Sequence, residues 1–245
     1  MAVTSIPDTH FASLSQLENG YWWFLARVSW ARRLVAAWKP KQGARIAYAD
    51  LGCGTGGFAR SLDEAFDFAR VMLVDSDPNA LKRIQFPKAS VVAADLAPSL
   101  KLPERPNLIT MMDVIEHVPA DDQLVRTAAG LLAPGGLLVI SVPAHPVLFS
   151  SWDTMLGHQR RYTRQQLVDV VEQAGLRVQS VRAMWSFLFL PAFIRKFEKR
   201  NAENMEFPPV SPWMNRLLVH FSNLEWSLPG LPFGTSWIIS AEKPE

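Results

Sequence analysis

Asp50, Gly52, Gly54, Gly56 and Gly57 stand within Ala49-Asp-Leu-Gly-Cys-Gly-Thr-Gly-Gly-Phe58, where a short apolar run ends in an acid and then in a turn made almost wholly of glycine. Glycine suits that place because the chain must reverse from strand to helix and let a ligand approach the backbone. Two spacings are satisfied at once: GxGxG with an acid two positions before it, and the dinucleotide fingerprint GxGxxG. Further acids close later apolar runs, in Val74-Asp-Ser-Asp77, Ala94-Asp-Leu96 and Asp113-Val-Ile-Glu-His-Val118. An acid about 20 residues beyond a glycine turn is placed to accept both ribose hydroxyls, which is the position of Asp75 and its neighbour Ser76. Asp95, with Leu96, fits the adenine amino group, since a carboxylate accepts from it well. A pyrophosphate would be repelled by Asp50, whereas a sulfonium and an ammonium are attracted by an acidic, glycine-lined crevice. S-adenosyl-L-methionine is therefore the better electrostatic fit. An NAD(P)-dependent reductase is the alternative that GxGxxG keeps open, without a Tyr-x-x-x-Lys pair, because Tyr162 is followed by Gln166 at that offset.

The acceptor side has its own candidates. His117 follows the fourth apolar run and has the ordinary pKa of a general base, or it shapes the loop with Glu116. The segment 143–163 holds His145, Asp153, His158, Arg160, Arg161 and Tyr162, more polar chemistry than any other loop. Here His145 or His158 could take a proton and the arginines could hold an anionic group; singly, Arg161 and Tyr162 read rather as docking the next helix. A metal held by His117, His145, Asp153 and His158 matches no ligand spacing, so none is expected.

Alternating elements must position these residues. Strands are expected at 45–51, 69–74, 90–94, 107–112, 137–142, 177–183 and 236–241, with helices near 57–66, 78–84, 120–132 and 163–174. That alternation is the mark of a doubly wound, mostly parallel α/β sheet. Thr163 and Gln166 form a capping box for the last of these helices. Residues 1–20 read as loop or short helix. From Tyr21 to Trp38, Trp23, Trp30, Leu34 and Trp38 recur at helical spacing, ended by Pro40 and Gly43. This helix either packs on the domain or supplies, through Trp23 and Arg27, a surface that stacks on adenine or encloses a sulfonium. An N-terminal helical cap over 1–44 and a nucleotide-binding domain over 45–245 follow, with 185–232 as a helical insertion before the last strand. The insertion opens on apolar Trp185 to Ile194, continues through Arg195, Lys196, Lys199 and Arg200, and carries Trp213, Leu217, Phe221 and Trp226 further on. It reads as a packed helical pair, a dimer surface, a lid with Trp185 toward an apolar acceptor, or an interfacial anchor on anionic headgroups through 185–200.

Bulk properties bound the rest. The 245 residues allow one domain with insertions, and a net charge of +2 gives no reason to expect a nucleic-acid partner. The single cysteine, Cys53, fits a reducing compartment and reads as a small turn residue. No signal peptide is visible, and no apolar run reaches the length of about 20 residues that a bilayer requires. A cytoplasmic location is expected, with peripheral contact on the inner face of the membrane as an extension of the anchor reading.

Taken together, Ala49 to Gly56, Val74 to Asp77, Ala94 to Leu96, Asp113 to Val118 and Leu132-Ala-Pro-Gly-Gly-Leu137 resemble, over roughly 45–182, the class I S-adenosylmethionine-dependent methyltransferases. The nearest branch is that of the ubiquinone-pathway O-methyltransferases. The stretch Tyr21 to Arg27 and Leu231 to Ser236 look like parts of a set of uncharacterised bacterial members. The resemblance implies a Rossmann-like seven-stranded sheet with an antiparallel last strand. It implies that Asp50, Gly52, Gly54 and Gly56 support the methionine moiety, Asp75 the ribose and Asp95 the adenine, with Asp113 at the same crevice. A methyltransferase acting on a small, apolar or lipid-like acceptor, free or on an acyl carrier protein, is the expected function. O-methylation leads and C-methylation is the alternative; a non-catalytic membrane-associated binding module is a third reading. Oligomeric state is left open.

Overall fold

A computed structural model of the chain describes residues 8–39, 45–196 and 207–245. Seven strands form one sheet: β1 (Ala47–Leu51), β2 (Arg70–Asp75), β3 (Ser90–Ala93), β4 (Leu108–Met112), β5 (Leu137–Pro143), β6 (Arg177–Met184) and β7 (Ser236–Glu242). Their order is β3-β2-β1-β4-β5-β7-β6, with β7 antiparallel to both of its neighbours and the other pairings parallel. The chain leaves β1 toward one edge through β2 and β3 and then returns to β4 on the other side of β1. Ligands of doubly wound sheets bind at such a switch, beyond the carboxyl ends of the strands.

Both faces of the sheet are covered, which is why its strands read as continuous apolar runs. Nine α-helices are described: α1 (Asp8–Leu17), α2 (Trp22–Trp38), α3 (Gly57–Phe66), α4 (Pro78–Leu81), α5 (Asp121–Leu131), α6 (Ser151–Met155), α7 (Arg164–Gln173), α8 (Phe189–Arg195) and α9 (Pro212–Ser227). On one face Leu124 and Val125 of α5 and Leu167 and Val171 of α7 pack against Met72, Ile109 and Ile140. On the other, Trp30, Leu34 and Trp38 of α2 and Leu62 of α3 pack against Tyr48, Val71, Leu108 and Val139. Alternate residues of each strand serve alternate cores, as the pleat requires. The Thr163–Gln166 box is present, with Gln166 N–H donating to Thr163 Oγ1 at 3.2 Å.

Residues 8–17, read as loop or short helix, form a helix of ten residues. The helix stops assigned to Pro40 and Gly43, and the basic pair Lys199 and Arg200, lie outside the described residues. The insertion does not stand free of the N-terminal helices. Trp30 Nε1 donates to the Ser222 carbonyl at 3.0 Å, Trp22 N–H donates to Asn215 Oδ1 at 2.7 Å, and Trp30 meets Trp226 edge-on at 5.0 Å between centroids. Thus α9 lies against α2, and its remaining face is open: Trp213 is 60% exposed, as are Leu190 (64%) and Ile194 (61%) of α8. No helix among the described residues is long and apolar enough to cross a membrane.

Candidate functional site

The glycine turn leaves β1 with Gly52, Gly54 and Gly56 at φ of +74°, +54° and +82°. Such angles are steeply unfavourable with a Cβ. At Gly52 a Cβ would in addition stand 2.6 Å from Val114 Cγ2, so the turn can lie against the loop after β4 only with hydrogen there. Asp75, at the end of β2, accepts from Gly54 N–H at 2.8 Å and from Asp77 N–H at 2.9 Å. Asp75, which the sequence assigns to the ribose, therefore also sets the shape of the turn, and each oxygen retains a second lone pair for a ligand. Ser76 and Asp95 are exposed at the neighbouring strand ends, with Leu96 half-buried. A Cβ on Gly54 would meet nothing within 4 Å, so the turn opens on free space between these acids. An acid-rimmed opening with bare backbone fits a cationic nucleoside such as S-adenosylmethionine.

Asp50 is more deeply placed than its spacing suggests, 2% exposed, with its carboxylate accepting from Thr110 Oγ1, which in turn is 2.8 Å from Tyr48 Oη. Register explains this: Asp50 pairs with Thr110 across β1 and β4. Burial, with Asp75 nearby, pushes the Asp50 carboxyl up to about 7. In the free chain it is neutral below that pH and ionised above it. A bound sulfonium favours the ionised form, so affinity for S-adenosylmethionine should rise with pH up to about 7 and level off above it. S-adenosylhomocysteine, lacking the sulfonium, should show a shallower rise. Calorimetry from about pH 5.5 to about pH 8 tests this, and equal slopes for the two ligands would remove the coupling.

One residue at this turn is invisible to motif reading. Glu18, just past α1, accepts from Thr55 Oγ1 and from the Gly57 backbone, at the first turn of α3. Burial raises its carboxyl against the pull of these donors. No spacing signals a contact between residues 37 positions apart.

The second half of the site is a cavity of about 310 Å³. Its walls include Tyr21, Trp22, Trp23, Leu148, Trp152, Leu156 and Phe207, and Asp113, His158 and Arg161 supply polar atoms. Asp113 sits at φ +54° after β4, with Oδ2 paired to Arg27 and Oδ1 accepting from Ser141 Oγ at 2.9 Å. Arg27 is buried, and its guanidinium lies 3.5 Å from the Trp23 ring centroid. Burial draws the Arg27 pKa down, opposed by Asp113 and Glu116. Trp23 also stacks on Trp185 at 5.6 Å. With Arg27 and Trp185 both upon it, the Trp23 ring is a wall of the cavity, and Arg27 is the counter-ion of Asp113.

The three histidines do not share one place. His117 and His158 meet edge-on at 4.8 Å between centroids. His158 Nδ1 lies 3.0 Å from Asp153 Oδ1, and Arg161 Nε donates to the same oxygen at 2.8 Å. Asp153 is fully buried; burial opposes its charge, but His158 and Arg161 hold its carboxyl below the usual range. Burial, aided by His158, brings His117 down to about 4, so its imidazole is neutral. His145 is elsewhere, packed between the rings of Phe189 and Trp237 at 5.4 and 5.1 Å, and it does not line the cavity. Two further acceptor-side expectations change. Tyr162 is 2% exposed, donates to Asp121 Oδ2 at 2.7 Å and pairs its backbone with residues 143 and 145, closing the neck of the 144–162 loop. Trp185 is 1% exposed and stands behind Trp22 and Trp23. Both are structural because their large rings find core space; alternation and loop position cannot reveal that. Cys53 is buried in the turn, and burial raises its thiol.

A family profile described as a methyltransferase domain matches residues 21–181. A trans-aconitate 2-methyltransferase of Variovorax paradoxus is 32% identical over 115 residues, covering 46% of this chain and 44% of that protein. A ubiquinone biosynthesis O-methyltransferase of Ralstonia nicotianae is 29% identical over 141 residues, covering 55% of this chain and 54% of that one. The matched region thus spans about half the length of these relatives. Among solved structures, a protein described as a methyltransferase, in complex with the Haloferax volcanii Trm112 methyltransferase activator, superposes with a TM-score of 0.63 at 16% identity, covering 100% of this chain and 98% of that one. At that identity the likeness concerns the fold.

Proposed function

Because this chain belongs to the class I S-adenosylmethionine-dependent methyltransferase family and uses S-adenosylmethionine as its cofactor, we propose that it methylates an oxygen of a small, hydrophobic acceptor held in the aromatic cavity. The observation that carries this reading is the cavity's division of labour: tryptophan, phenylalanine and leucine walls, with His158 and Arg161 at one corner. An apolar body with a single hydroxyl or acidic group matches that surface. When bound, the cofactor supplies a methyl group activated by its positive sulfur. The chain's own residues orient, exclude water and manage a proton. The Trp22, Trp23 and Trp152 rings hold the acceptor and keep the reacting corner dry, and positioning of this kind is worth several kcal/mol, up to about 7–11 in the best-oriented systems. Arg161, fixed by Asp153 and by the Ala144 carbonyl at 3.2 Å, presents its charge to an acidic group. His158, with Nδ1 tied to Asp153, turns Nε2 outward as the atom that meets the acceptor hydroxyl. This arrangement supports O-methylation over C-methylation, since a carbon nucleophile already activated needs no such partner.

The exposed apolar side chains of α8 and α9, with Arg195 and Lys196 at the end of α8, favour arrival of the acceptor from a lipid surface on the inner face of the membrane. An acyl carrier protein is the other carrier of such a molecule. The reductase reading drops out with the family assignment.

Calorimetry with S-adenosylhomocysteine and NADH, followed by transfer of a labelled methyl group into fractionated host extract, tests the proposal. Binding of S-adenosylhomocysteine alone is expected, with label in a solvent-extractable product that is either a base-labile methyl ester or a base-stable methyl ether. Label confined to polar, water-soluble amines or acids would sink the hydrophobic oxygen acceptor.

A further inference from the structure

Beside the acceptor cavity lies a group of side chains that methyl transfer does not require. Glu116 is fully buried, and neither of its carboxylate oxygens has a hydrogen-bond partner. A buried carboxyl left bare on both oxygens is rare, because each unmet group carries its full desolvation penalty. Ligand atoms of Glu116, His117 and His158 all lie within 4.8 Å of one another. We propose that Glu116, His117 and His158 form a binding site for a divalent first-row transition cation, open toward the acceptor cavity.

Two imidazoles and one carboxylate are the donor set preferred by manganese, iron, cobalt and zinc over magnesium or calcium, which favour oxygen alone. Such a triad leaves coordination positions free, and His158 itself lines the cavity, so the open positions face it. The outer groups are those that support metal ligands. Asp153 accepts from or orients His158 through Nδ1, leaving Nε2 for the ion, and Arg161 steadies Asp153. Gln159 straps the two ligand-bearing loops together: its N–H donates to the Glu116 carbonyl at 2.9 Å and its Nε2 donates to the His117 carbonyl at 2.8 Å. Asp113 and Asp153 are each paired with a guanidinium, those of Arg27 and Arg161, and burial pushes the Glu116 carboxyl well up. Ligand atoms bonded at about 2.0–2.2 Å to one ion stand roughly 3–3.5 Å apart, so loading draws the set together by about 1 Å. Rotation of side chains on the short turn Ile115–His117 and on the loop at 158 suffices for that.

This inference stands whether or not the acceptor is the one proposed above. Where it joins that reading, the cation takes the place of a proton acceptor: with His158 Nε2 as a ligand, an acceptor hydroxyl bound at an open position loses its proton to solvent because the ion lowers its pKa.

The test is anaerobic titration of the chelator-treated full chain with Co²⁺, read by visible absorption, and with Zn²⁺ by calorimetry. One equivalent of each is expected to bind, with cobalt bands in the visible region and a rise in Tm. Glu116→Gln and His117→Ala should each weaken binding at least tenfold, while His220→Ala, at an exposed histidine of α9, leaves it unchanged. Binding of S-adenosylhomocysteine by each variant serves as the control for folding. No stoichiometric uptake by the unaltered chain overturns the proposal, and so does uptake that survives both ligand substitutions at full affinity. The unaltered chain decides the matter alone if a variant does not fold. Failure here leaves S-adenosylhomocysteine binding intact, which separates it from failure of the methyltransferase reading.

Discussion

Replacement of Arg27 by methionine should lower the free energy of unfolding by about 3–5 kcal/mol, the usual result of leaving one member of a buried ion pair alone. Arg27 is 6% exposed and paired to Asp113, whose side chain is itself 19% exposed. Without the guanidinium, Asp113 keeps only Ser141 Oγ as a partner and faces Glu116, a second acid that Arg27 also offsets. Methionine keeps the aliphatic stem, so the loss reports the guanidinium: its pairing with Asp113 and its contact with the Trp23 ring. Arg27→Lys should recover part of the loss, since it retains the charge without the planar fork. The double variant Arg27→Met with Asp113→Asn should recover most of it, because no uncompensated charge then remains. Urea unfolding of the four proteins checks this, and a single-variant loss below about 1 kcal/mol would show Asp113 to be adequately hydrated.

His158→Ala should lower kcat by about 10²–10⁴ with little change in affinity for S-adenosylmethionine. The side chain is at the cavity and at the pair with His117, but it is not at the glycine turn. The large effect is expected on either account of its chemistry, as proton acceptor or as ligand. Asp153→Asn separates orientation from direct action: it leaves the ring present while loosening Nδ1 and Arg161 together, and should fall between the two extremes. Single-turnover transfer of labelled methyl, with cofactor saturating, measures the chemical step directly. If His158→Ala retains full rate while the acceptor binds normally, the polar corner is a wall and nothing more.

The glycine turn and the acid at the end of β2 are far more legible in the sequence than the cavity is. Asp50, Gly52, Gly54 and Asp75 are legible because the turn joining β1 to α3 and the end of β2 are local features with a fixed geometry. Thr163 and Gln166 are legible for the same reason. The cavity is assembled instead from residues far apart: Tyr21 donates to the Pro208 carbonyl across 187 positions, at 3.1 Å. Helical spacing places Trp23 in an aromatic series and Trp185 opens an apolar run, but neither pattern says which ring faces the opening. Loop composition brought His145, His158 and Tyr162 under one heading, whereas the bridge from Ala144 to Tyr162 sends their side chains to separate destinations. Glu116 reads as a neighbour of His117 in sequence. Its missing partners are visible only in three dimensions.

The strand order has a consequence for how the molecule is made. The glycine turn and the acids that surround it are all synthesised within the first half of the chain, and β1 to β5 can pair as they emerge. But β6 has no contact with β5 until β7, the last strand to be synthesised, enters between them. During translation, therefore, β5 presents an open edge to solvent, a template for wrong pairing of the kind that folded sheets avoid. Trp237, Ile238 and Ile239 are the residues that close it. A ribosome stalled before residue 236 would hold a nascent chain with its donor crevice outlined and its sheet still in two pieces.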